Sequence, residues 1–304
     1  MFHDVARLEF TYYDKTTHDA LVNRRLPPSV GIGTGTAAQR FENIGSVRNS
    51  GIEAQLSVTK NITSGIGLDA ALSFARNTNK LLTLGAGIPP IVNGENREVP
   101  GFPLFGFWDR PITGFNDANG NGIIEVSEVT VGPTAVFLGS SIPKTSISLN
   151  AGFTLFHNRV RLGGQLDYRG DWKAYNLTER FRCVGVAPFN CAGVNDPKAS
   201  LFEQARAVAA GSSALGFTQA GYIESGNFLK LREASVTYFA PDAWAHALRA
   251  TSMQISVTGR NLLKWTNYGG IDPELNGNGQ SDFQDDFLTA PPVRTMAVRV
   301  QLGF

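Results

Sequence analysis

The sequence predicts an all-β fold: an antiparallel transmembrane β-barrel segment of about eight strands, with short periplasmic turns and long extracellular loops. Apolar and polar residues alternate in eight segments, and the connections between them alternate between short and long. Charged residues make up 17% of the chain, below the roughly 25% of soluble domains. The chain has no apolar run long enough for a transmembrane helix, which needs roughly 18 residues. A transmembrane strand needs only about 9–11 alternating residues.

Alternation with a period of two is typical of strands with one apolar and one water-facing surface. In Gly51–Thr59, for example, Ile52 and Leu56 share one face while Glu53 and Gln55 share the other. The predicted strands are Arg7–Asp14, Gly51–Thr59, Gly67–Ala75, Thr145–Leu155, Arg159–Arg169, Phe228–Tyr238, Met253–Arg260 and Val293–Phe304.

The segment Phe228–Tyr238 breaks this pattern. Leu229 and Leu231 have one parity, whereas Val236 and Tyr238 have the other. One extra residue in the strand restores the phase, so the sequence predicts a β-bulge near Glu233.

The connections follow a regular order along the chain. Short ones lie at Lys60–Gly65, Phe156–Asn158 and around Ala240–Thr251, the last with one predicted helical turn at Asp242–Arg249. Long ones cover roughly 22–42, 78–140, 171–225 and 264–291, the third with a predicted short helix at Ala199–Ala210. Outer-membrane barrels place short turns on the periplasmic side and long loops outside. A soluble sandwich gives no reason for such alternation.

Charge and motifs exclude other classes of function. The net charge is +1, and no basic cluster with interleaved aromatic residues occurs, so nucleic acid is not an expected partner. None of the four histidines belongs to a nucleophile motif, and G-x-S-x-G is absent. The sequence therefore predicts no catalytic residues and no enzyme.

The two cysteines, Cys183 and Cys191, lie in a polar stretch that contains proline and glycine. They are either unrelated thiols or a small loop disulfide of an oxidising compartment, and we favour the disulfide. No nearby histidine or further cysteine completes a zinc site.

The sharpest local motif is DANGNGIIEVSE, Asp117–Glu128. It fits the calcium-loop pattern D-x-N-x-N-G-x5-E, in which glycine permits the sharp turn. The predicted ligands of a structural Ca²⁺ are Asp117, Asn119, Asn121, the carbonyl of Ile123, Glu125 and Glu128. The alternative is a polar turn that needs no ion. A second polar run, Asp272–Asp282, fails the spacing because Phe283 stands at its twelfth position.

Aromatic residues recur in the long loops, where they could stack on sugars. Packing of the loops against one another, or a place in the interfacial girdle, is the favoured interpretation. These residues are Phe102, Phe105, Phe107, Trp108, Trp172, Tyr175 and Tyr268.

Four stretches in order resemble the SusC/RagA-like branch of the TonB-dependent receptors. They read TYYDKTTHDAL (Thr11–Leu21), NIGSVRNSGIEAQL (Asn43–Leu56), NFLKLREASVTYFAP (Asn227–Pro241) and ISVTGRNLLKWTNYGGIDPE (Ile255–Glu274). The resemblance implies that residues 1–304 are the C-terminal part of such a barrel. A signal peptide and a plug domain are not found, so the sequence predicts a fragment.

The resemblance also implies a role and partners. The chain would contribute barrel wall and extracellular loops to an importer of oligosaccharides or peptides in the bacterial outer membrane. Its partners would be outer-membrane lipid, a SusD-like surface lipoprotein, the TonB complex acting through the missing plug, and the barrel-assembly machinery, which would recognise the terminal Phe304.

Two other functions remain open from the residues alone. One is a complete small outer-membrane barrel that acts as an adhesin or pore. The other is a secreted, calcium-stabilised β-sandwich that binds glycans, in which the apolar faces would pack on each other rather than on lipid.

Overall fold

The structure, a computed structural model, describes residues 5–25, 39–43, 45–85, 87–185, 187–277 and 285–304. The strands are β1 (Ala6–His18), β2 (Leu21–Arg25), β3 (Gln39–Asn43), β4 (Ser46–Thr63), β5 (Ile66–Thr83), β6 (Ile91–Asn93), β7 (Asn96–Glu98), β8 (Gly106–Asp109), β9 (Ile112–Phe115), β10 (Val129–Val131), β11 (Val136–Ser140), β12 (Thr145–Leu155), β13 (Val160–Gly170), β14 (Lys173–Tyr175), β15 (Ile223–Ser225), β16 (Phe228–Phe239), β17 (Ser252–Thr266) and β18 (Thr295–Gly303). The helices are α1 (Leu177–Val184), α2 (Ala192–Asn195), α3 (Leu201–Gly211) and α4 (Asp242–Ala247), with 3₁₀ turns at Val126–Glu128 and Ala220–Tyr222.

Eight strands form one antiparallel sheet in the order β1-β4-β5-β12-β13-β16-β17-β18. These are the eight strands that the alternation predicted, so that prediction is confirmed. Each pairs with its sequential neighbours within the set, as in a meander. The order begins at β1 and ends at β18, and within the described ranges these two edge strands do not pair with each other.

The register brings like side chains together across the whole sheet. Leu56 lies opposite Leu72, which lies opposite Leu149, and Val257 lies opposite Val298. One side of the sheet, the apolar face, is therefore continuous from edge to edge. It includes Leu8, Phe10, Leu56, Leu72, Phe74, Leu149, Phe153, Leu162, Leu166, Val236, Tyr238, Ile255, Val257, Val298 and Val300.

The apolar face is open rather than packed. Val298 is 72% exposed and Phe10 is 65% exposed, and Val257 near the middle of its strand is still 43% exposed. The described residues bury their cores elsewhere, mainly in the long connections. A sandwich would bury such a face against a second sheet, so the open face disfavours the sandwich.

Two strands are longer than their alternation indicated. The predicted tight turn within Lys60–Gly65 is present but shorter than predicted, because β4 continues to Thr63 and β5 begins at Ile66, which leaves only two residues between them. Polar side chains on both faces near these ends hide the period of two, but the backbones still pair, with a register shift between Asn61 and Thr63.

The predicted bulge is present. Glu233 lies opposite Gln165 and Leu231 lies opposite Leu166, so Arg232 is the extra residue on the β13 side. On the β17 side the register also shifts between Leu231 and Glu233. The bulge restores the phase, so that Leu229 and Val236 lie on the same face of the sheet.

The long connections are themselves folded, which the sequence indicated only for α3. This helix begins with a capping box between Ser200 and Glu203. Ala205 and Ala209, on one face of α3, pack against Ile124 and Val129 in one core. Its remaining buried alanines face a second core that contains Phe107, Tyr175, Tyr222 and Ile223. Small side chains let α3 lie between two cores at close approach.

No helix in the described part of the chain has the length and apolar character needed to cross a membrane. The predicted turn of helix at Asp242–Arg249 is present as the six-residue α4.

Cys183 at the end of α1 and Cys191 before α2 are joined in a disulfide, with their Cα atoms 5.0 Å apart. Both residues are buried in the core around Phe107. The carboxylate of Glu179 lies near both sulfur atoms, but disulfide sulfurs are not the thiolates that bind metals.

We predict that this disulfide forms in exported protein and stabilises the connection by about 2–3 kcal/mol, the chain-entropy value for so short a loop. Both cysteines fall in one tryptic peptide, residues 183–198. Mass spectrometry without reduction should find it lighter by two hydrogen atoms and resistant to alkylation. Recovery of the doubly alkylated peptide from unreduced protein would contradict the prediction.

Candidate functional site

The polar face of the sheet is the candidate functional surface. Opposite the apolar face, Glu53, Asp69 and Asp167 lie where the alternation predicted water-facing carboxylates. The register again places polar residues opposite polar residues on neighbouring strands. The face includes Glu9, Thr11, Glu53, Gln55, Asp69, Ser73, Ser148, Asn150, Gln165, Asp167, Lys230, Glu233, Ser256, Arg260 and Arg299.

One ion pair crosses a whole strand of this face. Arg161 on β13 donates two hydrogen bonds to Asp69 on β5, at 2.6 and 2.7 Å. Both side chains pass over Gly152 of β12, where an added Cβ would lie 2.4 Å from the guanidinium of Arg161. Glycine is therefore required at 152 for the bidentate pair to form.

A larger ion-pair cluster joins the wall to the last long connection. Lys230 on β16 is 6% exposed, and its Nζ donates to both carboxylate oxygens of Asp272 at 2.7 Å. The same Nζ lies 2.5 Å from Glu274. We call Lys230, Arg232, Asp167, Asp272 and Glu274 the wall–loop cluster.

The bulge determines the geometry of this cluster. As the extra residue of β16, Arg232 reaches Asp167 of β13 at 2.8 Å and Glu274 at 2.5 and 2.6 Å. The ring of Phe228 lies beneath both cations, 4.9 Å from Lys230 Nζ. Bulges re-aim side chains at functional positions, and this one directs a guanidinium at two carboxylates.

The cluster fixes residues 271–275 against the polar face. Burial alone would raise the pKa of Glu274, but hydrogen bonds from Arg232 and Lys230 outweigh it and lower that pKa below its usual range. A carboxylate held ionised between two cations keeps the cluster charged near neutral pH. Because a buried ion left without its partner is costly, by about 3–5 kcal/mol, the connection is tied firmly to the wall.

Sequence reasoning missed the wall–loop cluster. The sequence did contain a signal for this cluster. Lys230 and Arg232 lie in the strand whose apolar and polar alternation is interrupted, and an acidic run begins at Asp272. That run was tested only for calcium, and its residues 278–284 lie outside the described residues. In the structure, Asp272 binds an ammonium group instead.

The calcium motif lies between β9 and β10, on the long connection after β5. The amide of Asn121 donates to Asp117 and to Asn119, both at 3.0 Å, and the amide of Gly122 donates to Asp117 at 2.8 Å. Glu128 is 8% exposed and accepts amide hydrogen bonds within the loop. Gly122, at φ +80°, makes the turn.

The donor set fits calcium in type, since carboxylate, amide and carbonyl oxygens are its ligands. The carboxylates of Asp117, Glu125 and Glu128 do not form a metal-sized group within the described ranges. Asp117 and Glu128 accept backbone amides instead, and Oε1 of Glu128 already accepts two of them, from Ala118 and Asn119. The side chain of Gln204 on α3 accepts from the amide of Ile124 and donates to the carbonyl of Gly122, which docks the loop on α3.

The loop aromatics pack within the connections. Phe107, Trp172, Tyr175 and Tyr268 are each at most 6% exposed. Phe102 makes an edge contact with Trp108, with ring centroids 4.7 Å apart. Phe304, the proposed assembly signal, follows β18 and is 86% exposed. It is far in sequence from the aromatic residues of the loops.

Comparison with known proteins agrees with this architecture. No protein-family model matches the chain. The TonB-dependent receptor P26 of Formosa agariphila is 26% identical over 318 aligned positions, which cover 92% of this chain and 30% of the relative. The TonB-dependent receptor P3 of the same organism is 23% identical across 100% of this chain and 33% of its own length.

Solved structures share the fold. The structure of the RagAB peptide transporter matches 100% of this chain and 34% of that chain, with a TM-score of 0.75 and 18% identity. The RagAB peptide importer in its closed-closed state gives a TM-score of 0.73 with 20% identity. This chain thus spans about a third of the length of the proteins that it matches. The chain is a homologue of the TonB-dependent receptors, a class of outer-membrane proteins, and corresponds to a portion of one of them.

Proposed function

We propose that this chain forms the C-terminal part of the barrel wall, together with extracellular loops, of a TonB-dependent importer of peptides or oligosaccharides. One observation carries the proposal: eight paired strands present an unbroken apolar face on one side and a charged, polar face on the other. Lipid outside and a water-filled lumen inside require such a wall.

Partners follow from the same assignment. The edges at β1 and β18 would pair with the remaining strands of the barrel, since unpaired backbone groups cost several kcal/mol each in lipid. The TonB complex would act on a plug domain inside that barrel. A SusD-like lipoprotein would cover the long loops, and Phe304 would be read by the barrel-assembly machinery.

Three observations favour peptides over neutral oligosaccharides as cargo. The matched RagAB is by name a peptide transporter. The polar face carries both signs of charge, such as Glu233 with Arg260 and Asp69 with Arg161, which suits zwitterionic cargo. Stacking on sugars needs open rings, whereas Trp172 and Tyr268 are buried.

We predict that arginine on the apolar face destabilises the barrel. In the full receptor, Leu149→Arg or Val298→Arg should lower the free energy of unfolding in lipid vesicles by about 2–4 kcal/mol near the midplane. Gln165→Arg, on the polar face, should change it by less than about 1 kcal/mol. Urea titration followed by heat-modifiable gel mobility measures both. A larger loss at Gln165 would show that the faces are reversed.

We predict that residues 1–304 alone do not transport. Within the described ranges the sheet has two open edges, and closing it as a narrower barrel requires a different curvature and shear. Side chains would then fill the lumen. Liposomes that hold the full receptor serve as the reference for flux, and substrate-specific uptake by the 304-residue chain would instead favour the small complete barrel.

We also propose that the Asp117–Glu128 loop holds a structural Ca²⁺. The nested turns around Asn121 already curve the loop, and Gln204 anchors it to α3. When bound, calcium would neutralise the carboxylates and stiffen a loop that joins two elements of the extracellular region. Two asparagines among the side-chain ligands lower the expected affinity.

The calcium proposal predicts a rise in thermal stability with added Ca²⁺, equivalent to about 2.7 kcal/mol at a hundredfold excess over Kd. Asn119→Asp should tighten binding, and Asp117→Asn should abolish it. Asp196→Asn, an exposed carboxylate outside the motif, is the matched control. Calorimetric titration that finds no calcium binding to the unmodified receptor would refute the site.

A further inference from the structure

The wall–loop cluster contains a site for one carboxylate between two cations. Arg232 binds both oxygens of Glu274 end-on, since Oε1 accepts from Nη2 at 2.5 Å and Oε2 accepts from Nη1 at 2.6 Å. Oε2 also accepts from Nζ of Lys230 at 2.5 Å. Two parallel hydrogen bonds from a guanidinium are the geometry in which arginine recognises a free carboxylate.

Other groups hold the two cations in place. Asp167 accepts from Nη2 and Nε of Arg232 at 2.8 and 3.3 Å, and Asp272 accepts from Lys230 through both oxygens at 2.7 Å. The ring of Phe228 lies 4.9 Å from Nζ of Lys230 and 5.6 Å from the guanidinium carbon of Arg232. These contacts fix both cations without the third carboxylate of the cluster.

Exposure to water separates that third carboxylate from the other two. The side chain of Glu274 is 29% exposed, whereas those of Asp167 and Asp272 are 7% and 10% exposed. The side chain of Glu274 can therefore turn into water, and a dissolved carboxylate can take its place. This exchange leaves no buried charge without a partner, which is the costly alternative in such a cluster.

The backbone on both sides of Glu274 is anchored by other contacts. The amide of Gly269 donates to a carboxylate oxygen of Glu224 at 2.6 Å. The amide of Gly277 donates to the carbonyl of Asp285 at 2.8 Å. The exchange therefore requires rotation of one side chain and leaves the connection in place on the wall.

The site lies near the end of the wall from which the long connections leave. β13 ends at Gly170, close in sequence to Asp167, and β16 begins at Phe228, close to Lys230. If the polar face lines the lumen, this position is the extracellular mouth of the barrel. Cargo that arrives from outside meets the two cations before it passes along the wall.

We propose that Arg232 and Lys230 bind a carboxylate of the cargo, and that Glu274 occupies this site when cargo is absent. The inference rests on the proposed function, since it needs the polar face to line an import pathway. A peptide supplies a carboxylate at its C-terminus, and an acidic oligosaccharide supplies one as a uronic acid. Both present the same planar group to the fork of the arginine.

Competition by Glu274 lowers the affinity of the site for cargo. When only a fraction of the sites is open, the apparent Kd rises in inverse proportion to that fraction. Weak, exchangeable binding suits a transporter, because cargo has to leave the site again.

Retention of defined ligands by the full receptor in detergent tests the site. One pair of probes is a mixed pool of short N-acetylated peptides, prepared with free and with amidated C-termini. The other pair is oligogalacturonate and its methyl ester. Mass spectrometry of the bound fraction gives the ratio of the acid form to its blocked form, here called the carboxylate preference. The pair that shows a preference identifies the source of the carboxylate.

Two substitutions of Glu274 distinguish competition at the site from the general charge of the lumen. Glu274→Gln removes the competing charge, whereas Glu274→Asp keeps the charge but is one methylene shorter and cannot reach both cations. Both should raise the carboxylate preference, Glu274→Gln by about tenfold, the difference between a charged and a neutral hydrogen-bond partner. A rise with Glu274→Gln alone would assign the effect to the charge of the lumen and overturn the competition.

Arg232→Lys tests the cation itself. It keeps the positive charge but loses the fork, so it should reduce the carboxylate preference. Glu179→Gln is the matched control, because it removes the carboxylate of a Glu–Arg ion pair in α1, outside the polar face. The control should leave the preference unchanged, and an equally unchanged preference in Arg232→Lys would refute the assignment of the site.

The outcomes separate this inference from the proposed function. If peptides or oligosaccharides are retained with no carboxylate preference in either pair, the site is refuted and the importer stands. If none of the four probes is retained, the proposed function fails and this inference fails with it.

Discussion

Register is the constraint on which this structure depends. Side chains alternate between faces at every residue, so a slip by one position in any strand pair would move its leucines to the polar side. Here Leu149 is fixed between Leu72 and Leu166 by partners on both edges of β12. The apolar and polar faces, and the ion pairs that cross the strands, all follow from that shared alignment.

The bulge in β16 is a departure from regular pairing that serves two purposes. The bulge adds Arg232 to β16, so that the apolar residues on both sides of it lie on the same face of the sheet. It also places the guanidinium of Arg232 against the carboxylates of Asp167 and Glu274. Together with Lys230, it holds the connection between β17 and β18 against the wall. Buried ion pairs contribute little net stability but strongly disfavour alternatives in which one charge is left alone, so the cluster specifies where that connection lies.

How much the sequence could predict follows from the range of the interactions. All eight wall strands and the bulge were predictable, since they depend on local alternation and its phase. The outer ends of β4 and β5 were not, because residues such as Asn77 and Thr78 are polar on both faces and are held by pairing alone. The wall–loop cluster joins residues 42 positions apart, which no local pattern reports.

The unequal heights of the wall strands have a mechanical consequence. β5 pairs with β12 only as far as Arg76, yet it continues to Thr83 beside β4, and β1 rises with them. The connection after β5 is bonded to this taller part, where the amide of Leu81 donates to Phe102 and that of Gly101 donates to Leu81. These three strands therefore extend as one paired unit beyond the ends of their neighbours. A small change in the tilt of these strands would move the attached connection with them.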